Sequence, residues 1–423
     1  MKESNNDNKN KRVTVVALVT ALCLLGDSML YVALPIFYKQ VGLQSLWEVG
    51  LILSLNRFVR IPVNPLVGFM YRRLQLRTGL FISVILAIIT TIGYGVGTGL
   101  VIWIILRLLW GISWSFLRLG GFFTVLDAST DANRGENMGR YNGLYRLGSL
   151  GGMIGGGILV TIFGFHGTAI LFGVIMIVGL PLVYMAVPTV AKTTTATLSE
   201  KNSPVSVPRK MFFGFTFKAV TIIASGMILA FLIQGMFNSS ISLVMSMHFG
   251  EEISFLSWTI GITALAGILQ GVRWLWEPYL AVRMGRWSDG ERGRMPLFLW
   301  SLAISAVGFI MIPLPFPMAI WIGITLVVMA ASTALTTLVD ALTSDEAQGQ
   351  DANKLMTTYT VFLDFGAAMG PLVSYLLFSL GGTVFHVFLG AAIIFVLLLI
   401  FWTLAQRWER SSGSSGDGSR ASV

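Results

Sequence analysis

The sequence predicts an all-α membrane protein whose twelve transmembrane helices form two pseudo-symmetric six-helix bundles, and three observations carry the prediction. First, 55% of the 423 residues are hydrophobic and only 12% are charged, whereas a soluble domain carries about a quarter charged residues. Second, apolar stretches recur along the whole chain at lengths sufficient to cross a hydrocarbon core of about 30 Å, at about 1.5 Å per helical residue. Third, two patterns repeat in the same order. Thr124-Val125-Leu126-Asp127-Ala128-Ser129-Thr130 returns as Thr337-Leu338-Val339-Asp340-Ala341-Leu342-Thr343, and Gly148-x-x-x-Gly152 returns as Gly366-x-x-x-Gly370.

The expected spans are 13–37, 47–70, 78–97, 100–124, 141–163, 167–189, 219–247, 253–281, 296–313, 318–341, 357–379 and 384–406. All should be helices, because lipid offers no partner to an unpaired backbone amide. Segment 219–247 is long for one crossing, and Gly235 with Asn238-Ser239-Ser240 marks the place where it should bend or leave the bilayer. Residues 1–12 are a polar, basic tail without a cleavable signal. The first bundle is expected at 13–189, the second at 219–406. Between them 190–218 is polar, basic and proline-containing, a cytoplasmic linker, and the Ser/Gly-rich tail 407–423 is expected to be disordered.

Charge placement sets the orientation. If the N-terminus is cytoplasmic, 22 of the 29 Lys and Arg fall on cytoplasmic ends and loops, one (Lys39) falls outside, and six lie in spans. That is the positive-inside pattern of a multi-pass protein of a bacterial-type plasma membrane with both termini cytoplasmic. The net charge of +9 therefore reports topology and not a nucleic-acid partner, since a binding patch would not be interrupted by lipid-facing spans. A single cysteine, Cys23, excludes a disulfide frame. The histidines His166, His248 and His386 lie apart, so no metal site is expected.

Several motifs resemble those of the major facilitator superfamily. Its loop signature Gly-x-x-x-Asp-Arg-x-Gly-Arg is matched by Gly285-Arg286-Trp287-Ser288-Asp289 followed by Arg292-Gly293-Arg294. The first copy, at Gly68, is degenerate, with Arg72 where the acid belongs. Arg107-x-x-x-Gly111 matches the span-four signature. Gly139, Gly148, Gly152, Gly156 and Gly157 match the span-five pattern of the antiporters, with Met153 replacing its proline, while span eleven keeps Gly370-Pro371. The resemblance covers the whole chain. It implies two six-helix halves around a central cavity, small residues sealing the path where helices meet, an efflux antiporter, and a link between Arg107 and the protonation cycle. Asp127 and Asp340, at cytoplasmic helix ends, read as latch or cap residues.

Nine ionisable residues lie well inside the spans: Asp27, Arg57, Arg60, Arg107, Arg118, Arg146, Arg273, Glu277 and Asp364. Each would cost about 2.5–3.5 kcal/mol or more facing lipid at a helix centre, so all should face protein or a wet cavity. Arg57 and Arg60, Arg273 and Glu277, and Arg107 and Arg118 each share a helix face by spacing. The repeat matches Arg60 with Glu277 and Arg146 with Asp364, opposite charges at equivalent positions. Arg273–Glu277 and Arg146–Asp364 can equally be structural ion pairs.

A cavity with surplus guanidinium favours carboxylate or phosphate, so an anionic or zwitterionic amphiphile is expected. Trp103, Trp110, Trp114, Trp274 and Trp276 would give flat apolar surface beside the charges. Asp27 is the expected proton carrier, with Asp364 as runner-up and Arg107 as partner. The energy source is then the proton gradient, with no cofactor, and the partners are a small solute, protons and the bilayer, in a monomer. His-x-x-Glu-His, Gly-x-Ser-x-Gly and Walker-type loops are absent from the sequence, which speaks against an enzyme. Import by anion–proton symport and flipping of an anionic lipid headgroup are the competing readings.

Overall fold

The structure, a computed structural model, describes residues 2–129, 133–187, 211–212, 215–250, 252–255, 258–289, 293–347 and 352–417. The first half contains α1 (Lys2–Phe37), α2 (Leu46–Tyr71), α3 (Leu76–Val96), α4 (Leu100–Ala128), α5 (Arg134–Met176) and α6 (Gly179–Ala186). The second contains α7 (Phe217–Leu229), a π-helical segment (Ala230–Phe237), α8 (Asn238–Phe249), α9 (Ile262–Ser288), α10 (Arg294–Met311), α11 (Met318–Ala347), α12 (Ala352–Ser379) and α13 (Val384–Asp417). These make twelve crossings. Gly164, at φ +72°, breaks α5 into the fifth crossing and the start of the sixth, a left-handed conformation that glycine adopts without penalty. α7, the π-helical segment and α8 together make the seventh, so the departure from α geometry falls where Gly235 and Asn238 marked it.

Among the described residues nine stretches are long and apolar enough to cross a membrane, one of them the double crossing Glu136–Ala186. α2 and α9 are the crossings outside that set. Each carries residues that a lipid-facing helix excludes, Arg57, Arg60, Pro62 and Pro65 in α2 and Arg273, Glu277 and Pro278 in α9, and each lies at the junction of the two halves. The eighth crossing begins at Ile262 and not at 253, because β3 (Glu252–Phe255) and β4 (Trp258–Gly261) pair antiparallel, Glu252 opposite Gly261 and Phe255 opposite Trp258. Ile253, Phe255, Trp258, Thr259 and Ile260 are β-branched or aromatic types that suit strands. Residues 190–210 of the expected linker lie outside the described residues; its end pairs as β1 (Met211–Phe212) with β2 (Phe215–Thr216), and Thr216 then caps α7 by accepting from the Ala219 amide at 3.1 Å. α13 runs on to Asp417, into the segment expected to be disordered, and 418–423 lie outside the described residues.

Glycines set how closely the helices approach. A Cβ at Gly148 would collide with the Ala21 carbonyl, one at Gly152 would stand 2.5 Å from the Leu25 carbonyl oxygen, and one at Gly156 would press on Met29, so α5 lies backbone to backbone along α1. The second half repeats the contact: Gly366 and Gly370 of α12 meet the backbone at Met227 and Gly235. Across the halves α2 packs on α12 and α5 on α9. Gly148→Val has no room against main chain, so it is expected to broaden or abolish the monodisperse elution peak and lower Tm by many degrees, since core overpacking against backbone costs several kcal/mol at about 1–3 per intruding group. Gly139→Ala, with nothing within 4 Å of its Cβ, should leave both unchanged; equal behaviour of the two variants would remove the close approach from the account.

Candidate functional site

On the side away from the chain termini the halves are closed against each other. Ser242 of α8 donates to the Tyr31 carbonyl of α1 at 3.2 Å, the Trp47 amide of α2 donates to Ser379 Oγ of α12 at 2.8 Å, and Thr161 of α5 and Thr263 of α9 share a hydrogen bond of 3.2 Å. Toward the termini the halves part around a cavity of about 600 Å³. Helices from both halves line it because the ionisable residues on α1, α2, α4, α5, α9, α11 and α12 have only this water-accessible space in which to keep their charge.

The cavity holds Asp27, Arg57, Arg60, Trp110, Trp114, Arg118, Arg146, Arg273, Trp274, Glu277 and Asp364, eleven of the residues singled out in the sequence. Arg107 does not line it. It lies behind Asp27, fully buried, where its Nη1 donates to Asp27 Oδ1 at 2.5 Å and its Nε to the Ile52 carbonyl at 2.9 Å. Trp103 is a correction: it stacks on Tyr94 with ring centroids 5.0 Å apart and 13° between planes, deep in the core. Trp276, half-buried, packs against the core and does not line the cavity. Trp274 stands under Arg146, whose guanidinium carbon is 5.7 Å from the ring centre, a cation–π contact.

The ion pairs differ from the expected set, and the difference is informative. Arg146 pairs with Glu277 at 3.0 Å, not with Asp364; Asp364 instead lies 3.5 Å from Arg60 and 3.9 Å from Arg57. Arg273 stands 3.5 Å from Glu277 and donates to Asn238 Oδ1 at 2.9 Å. Arg60–Asp364 and Arg146–Glu277 therefore join one half to the other, α2 to α12 and α5 to α9. The pseudo-two-fold that relates the halves carries one pair onto the other with its polarity reversed. Arg146 and Asp364, matched by the repeat, stand at different junctions, Arg146 at α5–α9 and Asp364 at α2–α12.

Asp340 is a second correction. It faces the cavity and not a cytoplasmic latch, and Tyr359 of α12 donates to its carboxylate at 2.6 Å. Asp127, its repeat mate, lies at the rim 2.6 Å from Arg12. Of the loop signatures, Asp289 caps α9 and pairs with Arg294 at 3.3 Å, which also reaches Asp345 at 2.9 Å; Arg292 lies outside the described residues. Gly68 and Gly285 have no neighbour within 4 Å of an added Cβ, so neither supports a close approach. Arg72 ends α2 and lies over Phe69 at 5.6 Å. Pro371 offers its carbonyl to the close approach of Gly50, across the α2–α12 junction.

Sequence reasoning missed Tyr31, Asn56, Tyr145 and Gln234, all on the cavity wall. Neutral hydroxyls and amides cost too little in a span to stand out; Gln234, four residues before Asn238, is the one whose helical spacing gave a signal. Counting Arg107 with its partner, six arginines face four carboxylates, a formal surplus of two positive charges in and behind the cavity.

Two six-helix bundles around a charged cavity closed at one end define a multi-pass membrane transporter. Residues 16–288 match the Major Facilitator Superfamily, and the chain belongs to it. Two solved structures share the fold. One is a POT family transporter in complex with a thioalcohol-conjugated peptide, at TM-score 0.66 and 14% identity, covering 93% of this chain and 95% of that one. The other is a POT family transporter in complex with 5-aminolevulinic acid, at TM-score 0.67 and 14% identity, covering 93% and 96%. No curated protein matches the sequence.

Proposed function

We propose that the protein exports a small anionic or zwitterionic amphiphile across a bacterial-type plasma membrane in exchange for protons, as a monomer with both termini cytoplasmic. The observation that carries the reading is the surplus of arginine in one cavity where two ion pairs, Arg60–Asp364 and Arg146–Glu277, each join the halves. A guest that competes for those charges loosens both junctions, so binding is tied to the relative movement of the halves. The peptide conjugate and 5-aminolevulinic acid bound by the fold relatives are in keeping with a small organic solute. The positive-inside distribution supports the orientation, and with it a cavity open to the cytoplasm. The glycines of α5 support exchange by holding α5 against α1 beside Asp27.

A second reading follows from the same pairs. An anion that draws Arg57 and Arg60 from Asp364 leaves that carboxylate without its counter-charge, so a purely anionic solute would travel with a proton that restores the charge balance, as symport. Reconstituted vesicles decide between them. An inward proton gradient should drive solute out of the vesicle lumen in the export reading and into it in the symport reading; no response in either direction would remove proton coupling. Arg57→Ala/Arg60→Ala is expected to weaken anionic ligands by about tenfold or more, the scale of a lost charge-assisted contact, with a cationic dye unaffected. Equal loss for the dye would assign the arginines to structure.

A further inference from the structure

Among the described residues every cavity carboxylate except one is matched by an arginine within 4.0 Å: Asp27 by Arg107, Glu277 by Arg146 and Arg273, Asp364 by Arg57 and Arg60. The exception is Asp340, whose partner is the neutral phenol of Tyr359. Among the arginines the exception is Arg118, which among the described residues has no carboxylate within 4.0 Å and feels the like charge of Arg60. Both exceptions line the same cavity. They are opposite in sign, and they stand on α4 and α11, the helices that the T-x-x-D-A-x-T repeat makes equivalent.

We propose that Arg118 and Asp340 are the charge-recognition pair for a zwitterionic amphiphile, Arg118 taking its carboxylate and Asp340 its ammonium, with the apolar part against Trp110, Trp114 and Trp274. The assignment rests on the transport reading and narrows its substrate class. Both side chains are exposed to the cavity, so each charge is open to a solute, and a zwitterion makes a charge-assisted contact with both at once while adding no net charge. It also spans the two halves, so its capture draws the open end together. The charged and titratable groups acting on Asp340 are Tyr359 of α12, Arg146 of α5 and Glu277 of α9; α7 and α10, which also pack on α11, contribute none. A proton on Asp340 removes the seat of the ammonium, so proton and substrate exclude each other, which is the sign that exchange requires.

The test is ligand binding to the full-length protein in nanodiscs, read by quenching of the cavity tryptophans. The probes are 2-aminooctanoic acid and 8-aminooctanoic acid as zwitterions, octanoate as anion and octylammonium as cation. One of the zwitterions should bind at least about tenfold tighter than either singly charged probe, and Asp340→Asn or Arg118→Gln should each remove about that factor, the scale of one charge-assisted contact. Acidification should weaken the zwitterion in the unmodified protein and not in Asp340→Asn. The charge-exchanged double variant Arg118→Asp/Asp340→Arg should keep the zwitterion preference that each single variant loses, which separates recognition from misfolding. Octanoate binding as tightly as both zwitterions, and lost in Arg57→Ala/Arg60→Ala, would overturn the assignment while leaving the transport reading intact. Failure of proton-driven flux with the zwitterion preference present would overturn the coupling and leave the binding pair standing.

Discussion

Arg107→Ala is expected to destabilise the protein by about 3–5 kcal/mol, the cost of leaving one member of a buried ion pair alone, and to abolish transport. The arginine has no contact with water, its Nη1 meets Asp27 at 2.5 Å and its Nε ties α4 to the Ile52 carbonyl of α2. Removing it strands the Asp27 carboxylate at the edge of the cavity and frees a main-chain acceptor between two helices. Asp27→Asn removes the charge while keeping the shape, so binding should persist while proton-driven flux falls to the level of passive leak. The double variant Arg107→Ala/Asp27→Asn should be less destabilised than Arg107→Ala, because the stranded charge is gone. Thermal unfolding in detergent and flux in vesicles check both parts. Unchanged proton-driven flux in Asp27→Asn would take Asp27 out of the coupling step, and a double variant as unstable as Arg107→Ala would mean that lost packing outweighs lost charge.

Reversing one charge at the α2–α12 junction should be nearly as damaging. Asp364→Arg would gather three guanidinium groups where Arg57 and Arg60 now share one carboxylate, and like charges at this range in a partly enclosed cavity repel by several kcal/mol, at about 4 kcal/mol for two unit charges 4 Å apart in an effective dielectric of about 20. Transport should be lost. The exchanged pair Arg60→Asp/Asp364→Arg should recover a substantial part of it, since the molecule already holds the reversed polarity at its pseudo-symmetric junction, Glu277 on α9 with Arg146 on α5. Initial uptake or efflux rates in vesicles give the comparison. An exchanged pair no better than Asp364→Arg would mean that the local field of Arg57 matters more than the pairing of the halves.

The charged residues were visible because lipid makes them conspicuous. Asp27, Arg57, Arg60, Arg118, Arg146, Arg273, Glu277 and Asp364 each interrupt an apolar run, and a helix cannot hold them against acyl chains. Their partners were not visible. Repeat matching suggested Arg146 with Asp364, but the two stand at different junctions of the halves, and only the packing of α5 on α9 and α2 on α12 determines who meets whom. Asp340 carried the same motif as Asp127, and the sequence offered no reason to separate them. In three dimensions Asp127 reaches Arg12 at the rim, while Asp340 faces the cavity beside Tyr359.

The number of crossings, the division into two halves and the need for an internal polar space all follow from where apolar and charged residues stand along the chain, because the bilayer acts on each segment separately. Ion-pair partners, the end at which the cavity is closed, and the two cavity charges without a counter-ion among the described residues depend on how helices distant in sequence lie side by side. Coulomb attraction falls with distance in space, and one-dimensional spacing does not specify that distance beyond a single helix.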